Sequence, residues 1–205
     1  MFDLPDGEKL VRLARKAVEK YFENGRLILE KCTQKNFSEK RGVFVTIETY
    51  PEKNLHGCIG FPEAVMPLWD AVQQAAVSAA FEDPRFPKLD VEELDKIVFE
   101  VSVLSKPEPI AVKSASEYCK KIKVGEDGLI IQCGYRAGLL LPQVAVEQKW
   151  TAEEFLDNLC FKAGMMPDVL HDKATKIWKF QAQIFAEEKP NGKIINIIIE
   201  SENKT

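Results

Sequence analysis

The sequence predicts an α+β fold, with a largely antiparallel sheet flanked by helices and two lobes in one compact domain. Three observations indicate it. Strand-like segments are joined by short turns, helical segments separate only some of them, and there is no regular alternation of strand and helix. The chain has 205 residues, of which 45% are hydrophobic and 29% charged, and this composition supports a real core. Glycine-rich nucleotide-binding motifs are absent from the sequence, which disfavours nucleotide-binding folds.

The first predicted element is a helix that follows Asp6 as its N-cap and ends near Glu23. Apolar residues recur in it at helical spacing, and Gly25 follows as a stop signal. The pattern predicts an amphipathic helix with one buried face.

A β-hairpin is predicted next. "GVFVTIETY" alternates like a strand, "PEKN" is typical of a turn, and "LHGCIGF" is then the returning strand. A period of two places His56 and Cys58 on one face of this strand, and Leu55, Gly57 and Ile59 on the other. The sequence therefore predicts a histidine and a thiol as neighbours on one surface.

An alanine-rich helix is predicted from Leu68 to Phe81, with Pro67 in its first turn. The many small residues favour close packing of this helix against the sheet. The segment after it, "EDPRFPKLD", is a connection with two prolines that carries Asp83 and Arg85.

The second half of the chain contains shorter elements. "KIVFEVSVLS" alternates as a strand, while "IKVG", "LIIQCG" and "GLLLP" are predicted as short strands with glycine turns. Two capping-box patterns, Ser114 with Glu117 and Thr151 with Glu154, each predict a helix start, and Gly164 ends the second helix. The segment from Lys176 onward is predicted as two strands around a Pro-Asn-Gly turn.

Charge and cysteine content exclude several classes of protein. The net charge of −4 gives no support to nucleic-acid binding, and no apolar run is long enough to span a membrane. Five scattered cysteines without a C-x-x-C pair favour reduced thiols and a cytoplasmic location. Two distant histidines form no ligand cluster, so we expect neither a metal nor a cofactor.

Several motifs in fixed order carry a family resemblance: "LHGCIG", "AAFEDPRFPKL", "EVSVLSKPEPI", "VGEDGLII", "GLLLPQVAVEQKW" and "EEFLDNLCFKAG". Together they resemble the AMMECR-type domain family. The resemblance implies a single domain over residues 5–200, with a smaller lobe around 110–145, and an unsettled activity. It also implies Memo-like or radical-SAM pathway proteins as partners, because related domains occur fused to or encoded near them.

One residue departs from the family pattern. His56 stands where the family motif usually has arginine. An arginine would be a permanent, forked cation, whereas a histidine is smaller and titrates near neutral pH. The departure argues against a role that needs a fixed positive charge at this position.

The sequence offers Cys58 and His56 as candidate catalytic residues, because an adjacent imidazole can ionise a thiol or accept its proton. The alternatives are that Cys58 is a small packed residue in a crowded hairpin and that His56 is a surface residue at a sheet edge. His171, in a loop-like segment, is interpreted as an ordinary surface residue.

Five further residues are candidate substrate-binding residues. Gly57 and Gly60 would let a ligand approach the backbone. Asp83 and Arg85 would orient the motif and bind an anion, or they would fix their own loop as a turn acceptor and a carbonyl donor. Gln143 would line a cleft, or it would satisfy buried backbone groups.

These candidates define two functional hypotheses. In the first, the Leu55–Gly60 hairpin is a small-molecule or modification site in which Cys58 acts on an electrophile. In the second, the protein is a non-catalytic adaptor or a nucleic-acid-associated binding module, and the motif is a contact or packing surface. The sequence leaves the choice between enzyme and binding module open.

Overall fold

The computed structural model describes residues 2–199, which divide into two compact units. The first unit takes in the residues up to Leu104 together with Gln183–Ile197, and the second takes in Ser105–Ala182 and, among the described residues, 198–199. The smaller lobe expected around 110–145 falls within the second unit. Residue 200, the expected end of the domain, lies outside the described residues.

The described helices are α1 Leu4–Asn24, α2 Leu68–Phe81, α3 Tyr118–Lys121, α4 Pro142–Glu147 and α5 Ala152–Lys162. The described strands are β1 Val43–Thr49, β2 Leu55–Phe61, β3 Ile97–Leu104, β4 Glu108–Pro109, β5 Gly128–Cys133, β6 Arg136–Leu140, β7 Lys176–Phe180, β8 Ala182–Glu187 and β9 Ile194–Ile197. Short 3-10 turns lie at Lys35–Ser38, Val91–Lys96, Ala115–Glu117 and Pro167–His171. Helices and antiparallel strand pairs together confirm the α+β class.

The first unit is built on a sheet in the order β2-β1-β3-β8-β9. The β1–β2 hairpin is antiparallel, as predicted, and β1 also pairs with β3. Val43, Val45 and Ile47 on one face of β1 are fully buried in a core that includes residues of α1 and α2. Side chains at the alternate positions of β1 therefore lie on the opposite face.

Helix α1 begins three residues earlier than the sequence indicated. The Asp3 carboxylate, rather than that of Asp6, is the N-cap, and it accepts a hydrogen bond of 2.9 Å from the Asp6 N–H. Pro5 lies in the first turn, where proline is well tolerated, so the helix extends back across it. Gly25 ends the helix with a left-handed φ of 67°, as predicted.

A buried ion pair ties α1 to the sheet. The Arg15 Nε donates to Glu187 Oε1 on β8 at 2.7 Å, and a second nitrogen of the guanidinium donates to Glu187 Oε2. The remaining bonds of Arg15 run to the carbonyls of Leu94 and Ile97, and Glu187 also accepts from the Phe99 N–H. Both side chains are almost fully buried, and each is held by several partners.

The second unit contains a sheet in the order β4-β7-β5-β6, whose core includes residues of α5. The Thr151 capping box is confirmed, because the Glu154 N–H donates to Thr151 Oγ1 and the Thr151 N–H donates to the Glu154 carboxylate. At Ser114 the predicted helix start is confirmed, because a 3-10 turn follows it and α3 ends at Lys121, but the predicted capping box is wrong. Its hydroxyl bonds Ser116, and the Glu117 carboxylate accepts from the Lys113 N–H.

The structure differs from the predicted strands in two segments. "IKVG" forms a turn, in which the Asp127 carboxylate accepts from the Lys123 N–H at 2.9 Å and Gly125 has a φ of 87°. The C-terminal segment forms three strands rather than two. Gln181 separates β7 from β8, and its N–H donates to Ser105 Oγ.

Candidate functional site

Cys58 lies in the middle of β2, the terminal strand of the first unit's sheet within residues 2–199. It is opposite Thr46 of β1, so the two side chains share the face of the sheet that points away from α1 and α2. The Thr46 hydroxyl donates a hydrogen bond to Cys58 Sγ at 3.4 Å. The thiol is partly buried and has a fixed polar neighbour.

Asp83 and Arg85 hold the backbone of Cys58 from the other side. The Cys58 N–H donates to Asp83 Oδ2 at 2.9 Å, and the Cys58 carbonyl accepts from Arg85 Nη2 at 3.1 Å. The backbone of Cys58 therefore bonds away from β1, which makes Cys58 and Thr46 a non-hydrogen-bonded pair. In such pairs the Cα atoms lie only about 4.5 Å apart, which brings the side chains together.

The same two residues also bind each other. Arg85 Nε donates to Asp83 Oδ1 at 2.9 Å, Arg85 Nη2 donates to Asp83 Oδ2 at 2.7 Å, and the Arg85 N–H donates to Oδ1 at 3.1 Å. The Asp83 side chain is 2% exposed, whereas that of Arg85 is 53% exposed. Asp83 therefore accepts hydrogen bonds within its own turn, and Arg85 donates to a backbone carbonyl. These are the structural roles that the sequence offered for the two residues as the alternative to ligand binding.

Hydrogen bonds fix the charges of this pair. The bonds from Arg85, together with the N–H of Cys58, hold the pKa of Asp83 far below its usual range. The bonds to Asp83 raise the pKa of Arg85. A carboxylate and a guanidinium, both charged, therefore flank Cys58 at neutral pH.

Burial raises the pKa of the Cys58 thiol above its usual value. The hydrogen bond from Thr46 and the charge of Arg85 act in the opposite direction, while the charges of Glu100 and Asp83 raise the pKa further. The resting thiol is therefore protonated at neutral pH. A depressed pKa, the mark expected of a thiolate nucleophile, is not what this environment produces.

His56 lies at an irregularity in the hairpin. Ile47 pairs with Gly57 and Glu48 pairs with Leu55, so His56 is an extra residue opposite β1. The period of two therefore breaks at His56, and Leu55, rather than lying on the opposite face, shares the face of Cys58. His56 is 8% exposed, which contradicts its interpretation as a surface residue. Its Nε2 has no hydrogen-bond partner among the described residues.

Both candidate glycines are required by close packing. A Cβ at Gly57 would collide with the carbonyl oxygen of Ala79 on α2. A Cβ at Gly60 would collide with the backbone of Val43 and with the ring of Phe44. Helix α2 and the neighbouring strand therefore occupy the space in which a side chain would stand, and neither glycine opens its Cβ position to a ligand.

Glu100 and Ser102 of β3 belong to the same face but were not singled out from the sequence. Thr46 pairs with Cys58 on one side and with Glu100 on the other, so the three residues form a row across three strands. We call this the cross-strand row. The Ser102 hydroxyl donates to Glu100 Oε1 at 3.4 Å. The alternation of "KIVFEVSVLS" placed Glu100 and Ser102 on one face, but only the register brings them to Cys58.

Gln143 lies in the second unit, at the start of α4, and is described apart from the hairpin residues. Its Oε1 is buried and has no hydrogen-bond partner among residues 2–199. Burial raises the pKa of Glu147, on the same helix, above its usual value.

No group of three or more metal-ligating side chains occurs within the described part of the chain. The cysteines Cys32, Cys58, Cys119, Cys133 and Cys160 are all free. Between residues 2 and 199, no helix has both the length and the apolar character needed to cross a membrane.

Comparison with known proteins gives a consistent result. The AMMECR1 family model matches residues 11–185. Protein MJ0810 of Methanocaldococcus jannaschii is 50% identical over 195 residues, which cover 95% of this chain and 96% of that protein. A protein of Thermococcus gammatolerans is 53% identical over 192 residues, covering 92% and 93%. The crystal structure of uncharacterized protein PH0010 from Pyrococcus horikoshii matches with a TM-score of 0.88 at 50% identity, covering 94% of this chain and 96% of that one. The chain therefore belongs to the AMMECR1 family.

Proposed function

We propose that the Leu55–Gly60 hairpin, together with Arg85, forms a small-molecule or modification site in which Cys58 reacts with an electrophilic group. Its ligand is an electrophile that carries an anionic part. The observation that carries this proposal is the pair of hydrogen bonds that the Cys58 backbone forms with Asp83 and Arg85, which we call the clamp. The Cys58 N–H and carbonyl are held by Asp83 and Arg85, so the thiol is fixed beside the Thr46 hydroxyl.

Arg85 supplies the anion contact. Its Nε and Nη2 are used by Asp83 and Cys58, but Nη1 donates no hydrogen bond within residues 2–199. The side chain is 53% exposed, so the two N–H groups of Nη1 remain available to a ligand, and the charge of Arg85 acts on the thiol. Guanidinium N–H groups of this kind bind carboxylate and phosphate oxygens.

The raised pKa of Cys58 restricts the chemistry. The Cys58 thiol is protonated in the resting protein, so it loses its proton during the reaction with the electrophile. His56 stays in this proposal as a neighbour of Cys58 along the strand, and its buried, unpartnered Nε2 supports a ligand contact there. Gln143, in the second unit, has a buried Oε1 without a partner among residues 2–199, which supports a separate ligand contact within that unit. The five free thiols support a cytoplasmic location.

The contact or packing hypothesis is supported by different observations. The collision of a Gly57 Cβ with α2 and the bonds of Asp83 and Arg85 to the Cys58 backbone give the motif a full structural role. In that case the motif holds α2 and β2 together, and Cys58 does no chemistry.

Alkylation of the intact protein separates these proposals. We expect iodoacetate, which carries an anion, to label Cys58 in preference to Cys119 and Cys133, which are also partly buried. Each site is measured by mass spectrometry from about pH 5.5 to about pH 9.5, a range that spans the ~8.5 of a free thiol. The variant Cys32→Ser is the control. It removes a different partly buried thiol and should leave the labelling of Cys58 unchanged. A Cys58 that stays unlabelled throughout, while the other thiols react, would overturn the reactive site and favour the packing role.

A further inference from the structure

The inference concerns the fate of the Cys58 proton and rests on the proposed function. A protonated thiol must lose its proton as it forms a bond to carbon, and a nearby base makes that loss faster. The sequence suggested His56 as the base that accepts this proton. Among the described residues no hydrogen bond joins it to Cys58, and it sits where the strand register is broken.

We infer that Glu100 is the proton acceptor of Cys58, with the Thr46 hydroxyl between them. The cross-strand row places the three side chains on one face of adjacent strands. Successive strands lie about 4.8 Å apart, so the Cα atoms of Cys58 and Glu100 are separated by roughly two such spacings. Glutamate has the longest side chain in the row, which is long enough to cover one strand spacing toward Thr46.

One hydrogen bond, the strand register and the charge of Glu100 support this arrangement. The Thr46 hydroxyl already bonds Cys58 Sγ at 3.4 Å, and Glu100 is close enough for its charge to act on the thiol. A hydroxyl has one proton and two lone pairs, so once it rotates away from Sγ, to which it donates at rest, it can accept a proton from sulfur while it gives its own to a carboxylate. Ser102 donates to Glu100 Oε1 and steadies the carboxylate on this face.

The step balances without any further reactant. With iodoacetamide as the probe, the S–H bond of Cys58 breaks and its electron pair forms the S–C bond. The C–I bond breaks and iodide leaves. The thiol proton passes to Thr46 Oγ, and the former Thr46 proton ends on the Glu100 carboxylate.

The variant Glu100→Gln tests the inference because the two roles of Glu100 predict opposite signs. A carboxylate that only repels the thiolate slows alkylation, so its removal would make Cys58 react faster. A carboxylate that accepts the proton speeds alkylation below the thiol pKa. We therefore expect the wild-type rate to level off as the pH falls, and Glu100→Gln to lose about tenfold or more at about pH 6.5.

Three further variants complete the experiment. Thr46→Val is expected to lose the level region at low pH, while Thr46→Ser keeps it because the hydroxyl remains. Glu48→Gln removes a carboxylate from the same face of β1 but outside the cross-strand row, and it should leave the profile unchanged. Circular dichroism melts confirm that each variant is folded.

The outcomes separate this inference from the proposed function. If Cys58 is alkylated but Glu100→Gln reacts as fast as wild type or faster at low pH, Glu100 is not the acceptor and the reactive site stands. If folded wild-type protein shows no alkylation of Cys58 at any pH, the proposed function itself fails.

Discussion

Two arginine–carboxylate pairs of the first unit, Arg15 with Glu187 and Arg85 with Asp83, differ in how far the arginine is exposed. Each pair forms two parallel N–H to oxygen bonds. In both pairs the carboxylate is almost fully buried, at 0% and 2% side-chain exposure. The guanidinium of Arg15 is 3% exposed, whereas that of Arg85 is 53% exposed.

This difference separates a pair that is enclosed inside the protein from one whose guanidinium is also exposed to solvent. Each nitrogen of the Arg15 guanidinium donates to Glu187 or to a backbone carbonyl inside the protein. Arg85 forms the same two bonds to a carboxylate, but its Nη1 donates no hydrogen bond within the described residues, and its Nη2 also donates to the Cys58 carbonyl. Burial of the carboxylate alone therefore does not distinguish the two pairs. The exposure of the guanidinium does.

The largest effect is expected from breaking the buried pair. Arg15→Met leaves the Glu187 carboxylate buried without its main partner, so we expect the free energy of unfolding to fall by about 3–5 kcal/mol. Urea denaturation of the variant and the wild type measures it. Lys16→Met is the matched control, because Lys16 is 51% exposed in its ion pair and should cost less than about 1 kcal/mol. A loss no greater than that of the control would show that Arg15 is not structural.

An intermediate effect is expected at the carboxylate of the exposed pair. Asp83→Asn leaves donors of Arg85 and Cys58 poorly matched, and we expect a loss of about 1–3 kcal/mol at neutral pH. The folded-state pKa of Asp83 lies below its unfolded value, so this stabilisation is complete above about pH 4 and fades as the pH falls further. Unfolding at about pH 7 and about pH 3 therefore gives a smaller difference from wild type at the lower pH.

Asp95→Asn is the control for this change, because Asp95 is an exposed aspartate of the same unit. It should alter stability by less than about 0.5 kcal/mol at either pH. An Asp83→Asn deficit that stays constant with pH would contradict the ionised clamp.

The smallest effect on stability is expected at Arg85, where the readout is selectivity instead. Arg85→Gln leaves the buried Asp83 carboxylate without its main partner, but the vacated position is more than half exposed and water can enter it, so we expect a loss of about 1 kcal/mol. At Cys58, however, the ratio of the iodoacetate rate to the iodoacetamide rate should fall by about threefold, which corresponds to a lost exposed charge pair. Arg41→Gln removes a partly exposed arginine bonded to Glu39 and should leave this ratio unchanged. An unchanged ratio in Arg85→Gln would place the anion contact elsewhere.

Local sequence signals predicted the fold well wherever one element determines its own limits. Helix α2 has the predicted bounds, and the Thr151 box and Gly25 cap the helices as expected. The prediction failed where a distant contact decides. Gln181 leaves the strand pattern because its N–H bonds Ser105, 76 residues away, and no period within the segment reports that contact.

The candidate site shows the same division. The hairpin and the importance of the segment with Asp83 and Arg85 were visible in the sequence. The sequence did not show on which side of the sheet His56 lies, because one extra residue in β2 interrupts the alternation from which that side was inferred. The position of Glu100 relative to Cys58 depends on the registers of two strand pairs, and those registers are fixed by tertiary packing.

The bonds from Asp83 and Arg85 to Cys58 have a consequence for self-association. A terminal strand displays unpaired N–H and carbonyl groups, which invite a strand of another molecule to add to the sheet. At Cys58 both groups are already taken by charged side chains, and an incoming strand would have to displace a buried carboxylate to reach them. The residues that hold the thiol in place therefore also protect this rim of the sheet from aggregation.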